Sequence, residues 1–332
     1  MAFQILCLSG GGFLGLHAAA IVTQLEAEFG TPIAAHFDLL AGTSIGGIIA
    51  LGLANEIPAQ KIQSGFERNG TKIFSNRSRP KSELGRKREI LRAIFSSKYS
   101  DVPLREAIAE ILGKDTLIGH LKHPCIVPAV NLSKGGPQVF KTDHHETFRR
   151  DFHLNAVDVA MATSAAPTYF PLAQVGDALY ADGGLYANSP DLLALHEAEH
   201  FFKVKPDDIR LLSIGTSTAK FSFSHDRNKN LGMLGWADGA RLVQTMISSQ
   251  QQLADYMLKH KLGDNYVRLD TQQSKDQQDS LSLDTATLNA QQTIKALASS
   301  TAQSAINNPK LREILAWRSP APRFFYRQAL EY

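Results

Sequence analysis

Three stretches carry residue types that could do chemistry together. In Gly42-Thr43-Ser44-Ile45-Gly46 a serine stands inside a G-x-S-x-G pentapeptide. Small neighbours permit a sharp strand-to-helix turn that lifts the hydroxyl above a sheet edge, where it can act as a nucleophile. Such a serine needs a base. The histidines that follow it, in "HHE" (144–146), "HEAEH" (196–200) and "SHDR" around His225, lie in polar, surface-like settings. Asp182 is different: it ends an apolar run in "YADGGLYANSP" (180–190), and Gly183 and Gly184 follow it. An ionised carboxylate held there by a tight turn can take the serine proton directly, giving a dyad without histidine. The plainer readings are a serine that N-caps a helix and an ordinary Asp-Gly turn.

The third stretch is "LSGGGFLG", residues 8–15, and it reads two ways. Gly10, Gly12 and Gly15 fit the G-x-G-x-x-G spacing of a dinucleotide fingerprint, which also needs an acid at the end of the next strand, about 20 residues on. Asp38 stands near that distance but at the start of its strand, whose end is taken by "GTSIGG". In the second reading the unobstructed N–H groups of Gly10, Gly11 and Gly12 converge at a helix N-terminus on the oxyanion of an acyl-transfer intermediate. One lost donor in such a hole costs ~10²–10³ in turnover. "HEAEH" (196–200) matches H-E-x-x-H formally, but no third ligand is evident and its flank is acidic, so a solvated helix face is expected. Cys7 and Cys125 show neither metal spacing nor a disulfide framework, and no metal or cofactor is expected.

These groups need a scaffold. Buried strands are expected at 3–8 and 37–42, with helices at 13–29 and directly after Ser44, and another helix after Pro58. Later strands are expected at 125–132, 137–142, 178–182, 209–216 and 265–270. Helices are expected near 103–112, 156–163, 190–202, 234–260, 285–300 and 309–316. Alternation of this kind predicts an α/β fold, a mostly parallel central sheet sandwiched between two helical layers. Two stretches break the pattern. Residues 68–98 hold ten Lys/Arg against two Glu, a local charge of +8 that leaves the remainder about −5. Residues 271–283, "TQQSKDQQDSLSL", read as an exposed polar loop.

The 332 residues are 43% apolar, which suits one large domain, with a catalytic core over about 3–216 and a helical region over about 217–332. A net charge of +3 argues against a nucleic-acid polymer as partner. Neither a signal peptide nor an apolar run of ~18 residues is evident, so a cytoplasmic location is expected.

Taken together, "GGGFLG" (10–15), "GTSIG" (42–46) and "DGG" (182–184) resemble the patatin-like phospholipases, as do "ATSAAPTYFP" (162–171) and Asn188-Ser189-Pro190. The resemblance covers about residues 3–216. It implies a Ser44–Asp182 dyad, an oxyanion hole from Gly10, Gly11 and Gly12, turn support from Gly15, Gly42, Gly46, Gly183 and Gly184, and hydrolysis of lipid acyl esters through an acyl-enzyme. One departure stands out: many members carry Arg or Lys where this chain has Leu14. The short N-terminus, the basic stretch after the elbow helix and the long C-terminal region are similar to those of bacterial anti-phage effectors of this family. That likeness implies activation by a cyclic dinucleotide, assembly into homo-oligomers and attack on the cell's own membrane from its inner face. The basic stretch beside "ILRAIF" (90–95) suits an anionic lipid surface or an anionic regulator, and the aromatic, Arg-containing stretch 317–332 suits an interfacial anchor, an oligomer contact or a docked tail. Against the hydrolase stand two other classes, a nucleotide-binding protein with a structural serine and a non-catalytic membrane-associated scaffold.

Overall fold

The computed structural model describes residues 2–74, 96–217, 232, 235–236 and 241–327. Residues 75–95 of the basic stretch, His225, the start of the helix expected over 234–260 and residues 328–332 lie outside the described residues.

The chain begins with β1 (Phe3–Leu8), whose side chains alternate between two cores: Leu6 and Leu8 enter the larger cluster, Ile5 and Cys7 the smaller. A strand buried on both faces must carry apolar residues at nearly every position, and this one does. A short 3-10 turn at Gly12–Gly15 leads into α1 (Leu16–Phe29), then β2 (Leu39–Gly42), α2 (Ile45–Ala54) and α3 (Ala59–Ile73). All ten residues of α2 are buried, as its all-round apolar sequence requires. After the basic stretch come α4 (Val102–Leu112), β3 (Cys125–Asn131), β4 (Gly136–Lys141), α5 (Ala156–Ser164), β5 (Ala173–Val175) and β6 (Ala178–Asp182). The rest comprises α6 (Gly184–Ala187), α7 (Asp191–His200), β7 (Ile209–Ile214), α8 (Arg241–Leu262), β8 (Tyr266–Leu269), α9 (Lys275–Ser280), α10 (Leu288–Ile306) and α11 (Pro309–Ala316).

The strands form one sheet in the order β5-β6-β3-β2-β1-β7-β8, with β4 also paired to β3. The run β3-β2-β1-β7-β8 is parallel; β4 and β6 meet β3 antiparallel, and β5 meets β6 antiparallel. Helices α1 to α5 and α10 contribute to the larger core, and α7 and α8 cover the other face. The expected α/β sandwich is therefore the observed one. The C-terminal region is woven into it: β8 extends the sheet, and α10 lies on α1 with Ala298 and Ala302 fully buried.

Two expectations are corrected. The three-residue strand β5 was not foreseen, being too short to show a period. The polar stretch 271–283 is not simply an exposed loop: Ser274 and Gln277 form a capping box that starts α9, and Leu281 and Ser282 are buried.

Candidate active site

Ser44 and Asp182 meet because β2 and β6 share one edge of β3. β2 pairs with Cys125 and Ile126 and runs parallel to β3; β6 pairs with Ala129 to Asn131 and runs the opposite way. Their C-terminal ends therefore approach head-on beside Val127 and Pro128. The chain leaves β2 into the serine turn and ends β6 at Asp182, so residues 138 apart in sequence come within 2.7 Å, the Ser44 hydroxyl donating to Asp182 Oδ2.

The turn itself is strained. Ser44 has φ 55° and ψ −126°, a region that costs a non-glycine residue about 1–3 kcal/mol and that persists where its surroundings over-determine it. The constraints are visible. Ser44 N–H donates to Thr163 Oγ1 (2.9 Å), whose hydroxyl donates to the Pro128 carbonyl (2.6 Å), and Thr43 Oγ1 donates to the Ala187 carbonyl (2.6 Å). A Cβ on Gly42 would overlap the Gly46 carbonyl, and one on Gly46 the Leu8 carbonyl, which is why both flanks must be glycine. Gly15 packs on Ile45, and Gly183 packs on the Pro128 carbonyl. The Ser44 side chain makes no capping bond to α2, so the N-cap reading fails. The helix begins immediately after the serine, with its positive end at the reacting centre.

Asp182 is buried, and its bonded partners are the Ser44 hydroxyl and the Gly184 N–H, 2.7 Å from Oδ1. Burial pushes its carboxyl up to about 6, and the two hydrogen bonds offset only part of that rise. The Asp-Gly turn is present through Gly184, but it leaves Oδ2 for the serine.

The glycine loop divides. Gly10 N–H donates to the Asn188 carbonyl (2.8 Å), while Gly10 O accepts from Asn188 Nδ2 (3.2 Å) and Thr216 Oγ1 (3.0 Å). With its N–H spent inside the fold, Gly10 is an anchor of the loop and not a free donor; this corrects the expectation of three equivalent glycines. Gly11 and Gly12 line the same pocket as Ser44 and Asp182. Gly12 takes φ 54°, and beyond it Phe13 N–H donates to the Leu283 carbonyl (2.7 Å). Leu14, at the position where the family resemblance led to an expected basic residue, is buried in the larger core, so the loop is supported from Asn188, Thr216 and Leu283. The sequence had marked Asn188 and Thr163 only as parts of longer motifs, and it gave Thr216 and Leu283 no role at the site. Thr163 and Thr216 act through a hydroxyl and Leu283 through a backbone carbonyl, signals that a single sequence does not carry.

The pocket, of about 90 Å³, opens to solvent, and its walls are mostly apolar, among them Ile48, Leu104, Phe170, Leu185, Met246 and Leu283. A much smaller apolar space, of about 10 Å³, adjoins it; Ile45, Phe74 and Leu104 line both. Oxygen chemistry at one end and an apolar trough beside it suit an ester with a long hydrocarbon arm.

Other expectations fare differently. Asp38 accepts from Gln4 N–H (2.7 Å) and Ser319 Oγ (2.7 Å), so the acid of the dinucleotide reading is a structural tie. In "HEAEH" the rings of His196 and His200 stack at 5.2 Å on the exposed side, but Glu197 turns inward to Lys141 and His144, which corrects the all-solvated face. His144, expected at the surface, is buried against Phe202. Among the described residues no group of three or more His, Cys, Asp or Glu is placed to hold a metal ion, and no helix is long and apolar enough to cross a membrane.

Comparison with known proteins agrees with this geometry. The family model described as Patatin-like phospholipase matches residues 6–195. A cGAMP-activated phospholipase of Pseudomonas aeruginosa is 41% identical over 326 residues, covering 98% of this chain and 95% of that one. Proteins of the same description from Vibrio cholerae and Escherichia coli are 35% and 34% identical, each across 97% of this chain and 96% and 94% of their own. By its matched domain and by likeness along almost its whole length, the chain belongs to the patatin-like phospholipase family.

Proposed function

We propose that this chain cleaves the acyl esters of membrane phospholipids through Ser44 and Asp182, and that a cyclic dinucleotide of the cGAMP type switches it on in anti-phage defence. The observation that carries the chemistry is the 2.7 Å bond from the Ser44 hydroxyl to the buried Asp182 carboxylate at the mouth of an apolar pocket. Asp182 takes the serine proton as Oγ attacks the ester carbonyl, and the N–H groups of Gly11 and Gly12 receive the developing oxyanion. The tetrahedral adduct collapses, the bond to the glyceryl oxygen breaks, and Asp182 returns the proton to that leaving alkoxide. Water then attacks the acyl-enzyme, giving its proton to Asp182; the fatty acid leaves and Ser44 is reprotonated. A base with a carboxyl near 6 is ionised at neutral pH yet basic enough to accept a proton in the transition state.

The activation reading rests on the full-length likeness to cGAMP-activated phospholipases. Peripheral binding at the inner membrane face, through the basic stretch 68–98, and assembly of several copies on activation complete the proposal. The test is fatty-acid release from anionic phospholipid vesicles by purified protein with and without cGAMP. Release that needs both cGAMP and Ser44 is expected. Full release by Ser44→Ala overturns the chemistry, and equal release without cGAMP overturns the regulation.

A further inference from the structure

The oxyanion loop is held from two sides, and the two sides differ in kind. Its first half is tied to the central sheet: Ser9 N–H donates to the Ile214 carbonyl (3.0 Å), and Gly10 is bonded to Asn188 and Thr216. Its second half is tied by the Leu283 carbonyl, which accepts from Phe13 N–H and lies so close to Gly12 that a Cβ there would overlap it. Leu283 belongs to no helix or strand. Its neighbour Asp284 is a buried carboxylate that accepts from Lys98 Nζ (2.7 Å), Tyr99 hydroxyl (2.8 Å) and Ser282 Oγ (2.9 Å). Lys98 and Tyr99 are pinned in turn by backbone bonds to the Thr168 and Tyr169 carbonyls, each 2.8 Å, and Tyr169 lines the catalytic pocket.

We infer that Asp284, clamped by Lys98 and Tyr99, is a positioning residue for the reaction: it sets the Leu283 carbonyl, and through it the aim of the Gly11 and Gly12 N–H groups at the oxyanion. The inference rests on the hydrolase reading above and extends it to residues outside the three motifs. Lys98 is also the last residue of the basic stretch, so the clamp is where that stretch joins the catalytic loop. The physics is one of leverage. A hydrogen-bond donor works in an oxyanion hole only where it meets charge that develops in the transition state, and losing one donor costs ~10²–10³ in turnover. Tilting the loop by releasing one anchor removes part of that stabilisation and leaves the nucleophile, the base and the apolar trough in place.

The experiment compares Asp284→Asn, Lys98→Met, Lys98→Arg and Tyr99→Phe with the parent on a soluble short-chain p-nitrophenyl ester, with cGAMP present, following kcat, KM, the pH profile and thermal unfolding. Asp284→Asn and Lys98→Met are expected to lower kcat by about 10- to 100-fold, a part of the cost of a lost donor, and KM by less than a factor of about 3. The activity limb set by Asp182 stays near pH 6, because the base is untouched. Lys98→Arg recovers at least half of what Lys98→Met loses on a logarithmic scale, because the ion pair survives. Where removal of the buried charge costs the fold, Tyr99→Phe carries the test: it keeps the ring, deletes one donor, and is expected to lower kcat severalfold in a protein that still folds, with only a small fall in unfolding temperature. Folded variants with parental kcat overturn the inference, as does a loss that falls on KM or moves the pH limb. Inactivity of the parent itself on every ester would instead overturn the hydrolase reading.

Discussion

Two buried aspartates serve the same pocket, Asp182 in its lining and Asp284 behind the lining residue Leu283, and they are built for opposite ends. Asp182 is held by a serine hydroxyl and one backbone N–H. Burial pushes its carboxyl up to about 6, and those two bonds do not cancel the rise. At Asp284 burial pulls the same way, but the Lys98 ammonium, with the Tyr99 and Ser282 hydroxyls, overrides it and holds the carboxyl below its ordinary value. One carboxylate is kept short of partners and so can take a proton; the other is saturated and so can only hold its neighbours still. The number and charge of the donors decide the role of a buried acid, and burial alone does not.

The contrast can be broken most directly at the dyad. Ser44→Ala and Asp182→Asn are each expected to lower fatty-acid release at least ~10³-fold with the fold intact, because the nucleophile and its base act as one unit; a folded Asp182→Asn that retains a tenth of parental turnover would remove Asp182 from the role given to it here. Next in size is the pH dependence. Activity needs ionised Asp182, so kcat/KM should fall about tenfold per unit below pH 6 and level off above it. Asn188→Ala, which takes one donor from the Gly10 carbonyl, is expected to lower kcat roughly tenfold by loosening the sheet side of the glycine loop.

Stability sharpens the comparison because the two acids have opposite signs. A raised carboxyl favours the protonated folded state, so the contribution of Asp182 is present at low pH and is lost as pH rises from the unfolded value, about 3.9, through about 6. Asp182→Asn should therefore unfold a few degrees higher than the parent at pH 7, on the order of 1–3 kcal/mol, while being inactive. A depressed carboxyl does the reverse: the contribution of Asp284 is present above about 3.9 and is lost as pH falls through its folded value. Asp284→Asn should melt lower than the parent at pH 7, with the gap closing in acid. Differential scanning calorimetry from pH 7.5 down to the acid limit of the fold reads both; two shifts of the same sign at pH 7 would end the contrast. The smallest effect concerns the trough. Phe74 stands between the pocket and the adjoining cavity, its ring edge-on to those of Phe13, Tyr99 and Phe170. Phe74→Ala joins the two spaces and should move the preferred acyl chain longer, by a severalfold change in the ratio of kcat/KM for long over short chains.

The same contrast marks what the sequence could say. The serine turn was legible because its glycines are demanded by hard overlap with Leu8 and Gly46 carbonyls, and steric demand leaves a fixed spelling. Asp182 was legible only beside the other two stretches, because an Asp-Gly turn alone has an ordinary structural reading. The clamp was not. Residues 271–283 are polar in composition and were expected to be solvated, yet the group that matters there is a carbonyl, which every residue has. Gly10, Gly11 and Gly12 read as equivalent until Asn188 takes the N–H of the first. His144 and Glu197 looked like surface residues because the partners that neutralise them, with Lys141, are distant in the chain. The α/β order was clear from strand and helix alternation, whereas the antiparallel entry of β6 depends on long-range pairing.

That entry bears on synthesis. A chain emerging from the ribosome as far as β3 already carries the nucleophile, but the proton acceptor arrives more than fifty residues later and faces the serine only after β6 has paired with Ala129 to Asn131. A hydrolase assembled in this order is born inert, and it gains its dyad when that pairing closes.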